Sequence, residues 1–173
     1  MASMQTIQPP PLDVQKYYID TLTFRAFDEH DEERDSGGSL AVDFDVHRHV
    51  SDPHAFRMVM RINVAAEGYT VEDNPSHGIS LTVVGFFLFA PGTDEEQMQR
   101  MIRINGSSIL YGIARGIVGQ ATGASQHGQF VLPTVNFVDV AKAKEAAAAL
   151  ASSDEPRLIE GADAVPAPEP EHA

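Results

Sequence analysis

The sequence predicts an α+β fold: a four-stranded antiparallel sheet covered by a long interrupted helix and a short C-terminal helix. Two observations lead there. Four segments with strand-like alternation lie between Lys16 and Ala90, and helical periodicity is confined to the region after Pro91. Strands in one run followed by helices in another indicate an antiparallel sheet with its helices segregated, not a chain of βαβ units.

The elements are expected in this order. Residues 1–14 hold Pro9, Pro10 and Pro11, which join neither helix nor sheet ladder, and are read as a flexible lead-in. Residues 15–151 are expected to form the domain. The acidic, proline-bearing stretch 152–173 is expected to be a disordered tail. Strand one, Lys16 to Phe27, sets Tyr18, Leu22, Phe24 and Ala26 on one face, with Tyr17 and Ile19 on the other. The charge run Asp28 to Asp35 reads as a solvated loop, with a turn at Gly37 and Gly38.

Strand two, Leu40 to Val50, alternates Leu40, Val42, Phe44 and Val46 against Asp43, Asp45, His47 and His49. Strand three, Phe56 to Ala66, alternates Phe56, Met58, Met60, Ile62 and Val64 against Arg57, Arg61 and Asn63. Pairing these strands sets Asp43 or Asp45 across from Arg57 or Arg61 on the wet face. After a polar loop, Glu67 to His77, strand four runs from Gly78 to Ala90 and is apolar on both faces toward its end. Both faces there need cover, which implies an oligomer or a bound apolar client.

Thr93 and Glu96 have capping-box spacing, and Met98, Met101 and Ile102 recur at helical intervals. Asn105, Gly106 and Ser107 interrupt the pattern before a second segment from Ser108 to Gly123. Each glycine in a helix interior costs about 1 kcal/mol relative to alanine, so Gly112, Gly116 and Gly119 require a compensating close contact. With Ser108 they form a small-residue strip suited to an oligomer interface, beside a bulky ridge of Ile109, Ile113 and Ile117. The last helix, Val140 to Ala151, is capped by Asn136 or Asp139 and has little apolar bulk, so it is expected to dock lightly.

Charge and composition narrow the function classes. The net charge of −13, from 25 acidic and 12 basic residues, disfavours nucleic acid and anionic membranes as partners. There is no cysteine, hence no disulfide framework or thiolate chemistry. Leu81 to Pro91 and Ile109 to Val118 are the longest apolar runs and are too short to span a bilayer. With no secretory leader at the start, the expected location is the cytosol.

Catalytic chemistry finds little support. His47, His49 and Asp45 share one strand face and are the best metal-ligand candidates, but a solvated face accounts for a lone H-x-H as well. His77 and His127 lie beside glycines with no nucleophile nearby, and Ser107, Ser108 and Ser125 are not in a G-x-S-x-G context. Gly112 to Gly123 lacks the lysine of a phosphate loop. No catalytic residue, metal or cofactor is expected. Apolar surface stands out instead: Phe86, Phe87, Phe89, Met98, Met101 and Ile104 are candidates for a tolerant client-binding groove.

Two motifs carry a resemblance. Leu110 to Arg115, LYGIAR, and Leu132 to Phe137, LPTVNF, resemble the SecB family of protein-export chaperones, where they run roughly L-F-P-Y-A-R and L-x-P-V-N-F. Gly112 stands where the family usually has proline, and Pro133 sits one place early. The resemblance implies a SecB-like fold over about Gln15 to Leu150 and a homotetramer, a dimer of dimers with long helices between sheets. It also implies an ATP-independent holdase for unfolded preproteins, without cofactor, that delivers to the SecA motor. The acidic positions by which the family's sheet meets SecA correspond here to Thr82 and to an Asp20 one place out of register. Both a SecA-coupled chaperone and a specialised SecB-like chaperone, such as those of toxin-antitoxin systems, therefore stay open. From the residues alone, a carrier of a small apolar ligand also stays open.

Overall fold

A computed structural model describes residues 10–34, 39–65 and 73–153. Four strands, β1 (Leu12–Ala26), β2 (Leu40–Arg48), β3 (Ala55–Val64) and β4 (His77–Phe89), form one antiparallel sheet in the order β1-β4-β3-β2. A long helix follows, made of α1 (Glu95–Met101), one π-helical turn (Ile102–Gly106) and α2 (Ser107–Thr122), and α3 (Phe137–Ser153) completes the fold. Of the expected tail, 152–173, Ser152 and Ser153 end α3 and the rest lies outside the described residues, as do the Gly37–Gly38 turn at 35–38 and 1–9 and 66–72 of the flanking loops.

β2 and β3 pair as their alternation predicts. Phe44, Met58, Met60, Ile62 and Val64 are buried beneath the helices. On the other face Asp43 lies opposite Arg61 and His47 opposite Arg57. Arg61 takes the ion pairs, 2.7 Å to Asp45 and 3.6 Å to Asp43. That hydrogen bond from Arg61 is the main reason the Asp45 carboxyl titrates below its ordinary range, with Lys144 assisting.

β1 departs from simple alternation. It begins at Leu12, three residues before the expected onset of order, and Pro11 accepts a hydrogen bond from the Ala90 amide. Its pairing with β4 slips between Val14 and Lys16 and between Ile19 and Thr21. Each slip adds an unpaired residue, Gln15 and then Asp20, and reverses the faces. Tyr17 and Ile19 therefore share the helix side of the sheet with Leu22 and Phe24, while Tyr18 points the other way. The expected grouping of Tyr18 with Leu22 and Phe24 fails for this reason.

The helix starts one residue later than the capping-box spacing implies. Asp94 is the N-cap, its carboxylate accepting from the amides of Glu96 and Gln97, and Thr93 donates instead to the Ala90 carbonyl. The expected interruption occurs as a wide turn without a break. Gly106 is buried there, and a Cβ on it would stand 2.9 Å from Ile102 Cδ1 and 3.4 Å from Met58 Cε. Ser107 is fully buried beside it and donates to the Met58 sulfur. The ridge of α2 that meets the sheet is Ser107, Leu110, Ala114 and Val118, all buried; Ser108, Ile109, Gly112 and Gly116 face away, while Gly119 is buried and Ile113 packs against the core.

α3 begins at Phe137, three residues early, with Val138 donating to the Asn136 side chain. Its docking is firmer than its composition suggests. Phe137 is buried 5.4 Å from the Tyr111 ring and 6.4 Å from Phe44. Lys144 reaches Asp43 at 2.6 Å and the Phe44 carbonyl on the free edge of β2, and Arg103 pairs with Glu145 at 2.8 Å.

Helix and sheet approach closely at Gly85 on β4. A Cβ there would lie 2.8 Å from the Phe87 ring and 3.1 Å from Leu110 Cδ1. Gly85→Val is therefore expected to lower stability to urea by about 1–3 kcal/mol, the usual cost of overpacking. An unchanged unfolding midpoint would refute this packing.

Candidate functional site

Among the described residues two apolar surfaces remain uncovered, one on each side of the sheet. On the side away from the helices, the even-numbered residues of β4 are Thr82, Val84, Phe86 and Leu88, flanked by Tyr18 of β1 and Val59 of β3; Val84 and Val59 are buried, and the open apolar side chains are Tyr18, Phe86 and Leu88. Tyr18 and Leu88 are 43% and 36% exposed, and the Tyr18 ring stacks obliquely 6.1 Å from Phe86. At the strand ends a cleft of about 300 Å³ opens over Phe86 and Leu88, with the fully exposed Val50 of the β2–β3 turn at its lip. His47, Arg48, His49 and Arg57 stand around it, and the Lys16 ammonium lies 4.6 Å from the centre of the Phe86 ring.

This geometry divides the six candidate groove residues. Phe87 and Phe89, each 1% exposed, and Met98, 3%, belong to the core, where a peptide does not reach them. Neighbouring residues of a strand face opposite ways, so Phe86 is separated from Phe87 and Phe89 by the thickness of the sheet. Met101 and Ile104 are half-buried in the helical layer. Of the six, only Phe86 turns its side chain to the outer face; Phe87, 1% exposed, borders the cleft from the core side. Leu88 and Val50 share the cleft with Phe86 and the Tyr18 ring stands beside it; of these, the even-numbered alternation of β4 signals Leu88.

On the helix side, α2 lies over β3 and β4; Leu12, Val14 and Leu22 of β1 pack against the core, but the rest of that strand's helix-side face is bare. Tyr17, Ile19 and Phe24 are 51%, 44% and 43% exposed there. Three of the four small residues singled out on α2 are open as well. Ser108, Gly112 and Gly116 are exposed, and a Cβ on either glycine would meet nothing within 4 Å. Gly119 is different: a Cβ there would sit 2.6 Å from Gln129 Nε2, so its small size serves the chain's own loop. Ile109 adds exposed bulk to this helix surface.

The chemical candidates disperse. Asp45 is engaged by Arg61 and Lys144, leaving His47 and His49 without their carboxylate partner. Among the described residues no group of three histidines or carboxylates is placed to hold a metal. His77 and Ser125 do meet, at 2.7 Å. The Ser125 hydroxyl donates to the Gly128 carbonyl, so it accepts from the imidazole; with His77 2% exposed, the pair is a structural tie.

That tie belongs to a cluster the sequence did not reveal. The rings of His30 and His77 lie 4.8 and 5.9 Å from His127, drawing together the loop after β1, the start of β4 and the α2–α3 loop. His127 bonds the Phe27 carbonyl at 2.7 Å, and His30 bonds that of Asn74 at 3.0 Å. Asp28 adds the nearest carboxylate contact, through Gln126. Burial, then the charges that His127 and His30 can acquire, hold the His77 pKa below its ordinary value. The folded state thus binds fewer protons at His77 than the unfolded state, and its contribution to stability is present above the unfolded pKa of about 6.5 and lost as pH falls below it. His77 is expected to titrate at lower pH than the imidazole of an unstructured histidine-containing peptide in NMR spectra. Coincident titration curves would contradict the burial.

Comparison with known proteins fits this architecture. The family model described as "Preprotein translocase subunit SecB" matches residues 5–148. The fold is similar to that of a SecB-like chaperone of Mycobacterium tuberculosis solved in complex with a ChAD peptide from the HigA1 antitoxin. The TM-score is 0.53 at 12% identity, over 72% of this chain and 91% of that one. A protein of unknown function from Streptococcus agalactiae aligns over 71% of this chain and 97% of its own, at 11% identity and a TM-score of 0.40. No curated protein matches significantly. Among the described residues no helix is long and apolar enough to cross a membrane.

Proposed function

The chain belongs to the SecB family, and from that premise we propose that it is an ATP-independent holdase that keeps client chains unfolded on the outer face of its sheet. The observation that carries the proposal is the uncovered strip of Tyr18, Phe86 and Leu88 beside the Val50 cleft. Apolar burial at about 25 cal/mol per Å² is non-directional, so such a strip binds many sequences weakly along their length. The similar mycobacterial chaperone carries a peptide, which supports a peptide as the ligand class here.

A homotetramer accounts for the helix side. Tyr17, Ile19, Phe24, Ile109 and the open Gly112–Gly116 strip would be covered by other copies, leaving the outer face for clients. The helix then recovers in subunit contact what its glycines cost. Met101 and Ile104, half-buried in the helical layer, lie on the other side of the sheet from this strip.

Delivery to SecA is the less supported branch. Asp20 is the unpaired residue of a bulge in β1, and position 82, where the family places an acid, holds a threonine opposite Thr21 and Arg61. A chaperone serving its own clients, as in toxin-antitoxin systems, fits these residues better than one coupled to a translocase. The carrier alternative loses its site, because Met58, Met60, Leu81 and Leu110 fill the space between sheet and helix.

Two experiments test the proposal. Without nucleotide, the protein is expected to suppress aggregation of a denatured model substrate. Phe86→Asp with Leu88→Asp should weaken client binding by roughly tenfold or more per residue, from about 1.5–3 kcal/mol for each lost apolar contact. Full suppression by this double variant would remove the outer face from the mechanism. Separately, Gly116→Leu is expected to convert the assembly to smaller species in light scattering while the secondary structure stays intact. A fully assembled Gly116→Leu protein would refute the helix contact.

A further inference from the structure

Building on the holdase proposal, we infer that the outer cleft selects client segments in which apolar side chains are flanked by carboxylates. The protein as a whole argues the opposite, since a net charge of −13 repels acidic peptides. At physiological ionic strength, however, exposed charges more than about 8 Å apart are largely screened, so the groups bordering the cleft decide.

Those groups are mainly cationic. Phe86 pairs across the sheet with Lys16 of β1 on one side and Arg57 of β3 on the other. All three point to the outer face. Two strand spacings of about 4.8 Å separate the cations, which bracket the ring at about 10 Å from each other. Among the described residues neither Lys16 nor Arg57 forms an ion pair; the Lys16 ammonium rests on the Phe86 ring. Arg48 also lines the cleft, but Glu95 neutralises it at 2.6 Å. Arg61 is likewise held by Asp43 and Asp45. The nearby acids are Asp13, opposite Leu88, whose carboxylate accepts the Gln15 amide at 2.7 Å, and Asp52 of the β2–β3 turn, 3.9 Å from His54. His47 and His49 complete the border without adding negative charge.

An aromatic or aliphatic client side chain seated on Phe86 therefore has an unpaired cation on each flank. A carboxylate on either side of it meets Lys16 or Arg57, whereas a lysine or arginine there meets like charge.

The test uses the full-length assembly and labelled unfolded peptides that share one apolar core and carry Glu, Gln or Lys on both flanks. Fluorescence anisotropy is expected to rank Glu-flanked above Gln-flanked above Lys-flanked. The Glu-to-Lys ratio should be roughly three- to thirtyfold, the range two exposed ion pairs support, and should shrink as salt is raised. Lys16→Glu with Arg57→Glu should reverse the order of the Glu- and Lys-flanked peptides while leaving the unfolding midpoint nearly unchanged. Equal or tighter binding of the Lys-flanked peptide by the natural protein would overturn the selectivity while leaving the holdase proposal standing, as would an unreversed order in the variant. Failure of all three peptides to bind would overturn both.

Discussion

One layer of helix cannot cover two faces of a sheet. β4 is apolar on both sides from Val83 to Phe89, and the helical layer seals one of them. The other stays open along Phe86 and Leu88. The helix itself reaches only β3 and β4, because close contact at Gly85 and the buried Gly106 draws it toward the middle of the sheet. Tyr17, Ile19 and Phe24 of β1 are left bare on the covered side. Both open surfaces follow from this shortfall of helix, and both functional roles proposed here depend on it.

The two surfaces differ in ways that suit different partners. The helix side presents flat glycine backbone next to isoleucine bulk and three β1 side chains. Such a surface rewards one complementary shape, as a second copy of the chain provides. The outer face presents separate apolar side chains, a shallow cleft and bracketing cations. It asks little of a partner's shape and more of its composition, which fits a chain without fixed structure. Between the faces, Lys144, Asp43, Asp45 and Arg61 tie α3 to the free edge of β2. They also occupy edge groups that would otherwise invite another strand.

Much of this was legible in the sequence. Alternation in β2 and β3 named the buried set because no irregularity interrupts their pairing from Leu40 to Arg48. The two-sided strand four and the glycine strip were legible through their cost: uncovered apolar residues and helix glycines are unfavourable unless something meets them. LYGIAR and LPTVNF pointed to the family that the comparison then established. The faces of β1 were not legible, since the bulges at Gln15 and Asp20 leave no compositional mark and each reverses the count. Phe87, Phe89 and Met98 were grouped with Phe86 because hydrophobicity alone does not say which side of a strand is covered. The histidine cluster was hidden for a different reason. His30, His77 and His127 are far apart in the chain and meet only once three loops converge.

The central claim is that copies meet on the helix side and clients on the outer face. Methyl NMR of the assembled protein during titration with a permanently unfolded client tests it most directly. The account predicts chemical-shift changes centred on Val50, Val84 and Leu88, with Ile19, Ile109 and Ile113 unmoved. Changes centred on Ile19 and Ile109, with Leu88 silent, would contradict it.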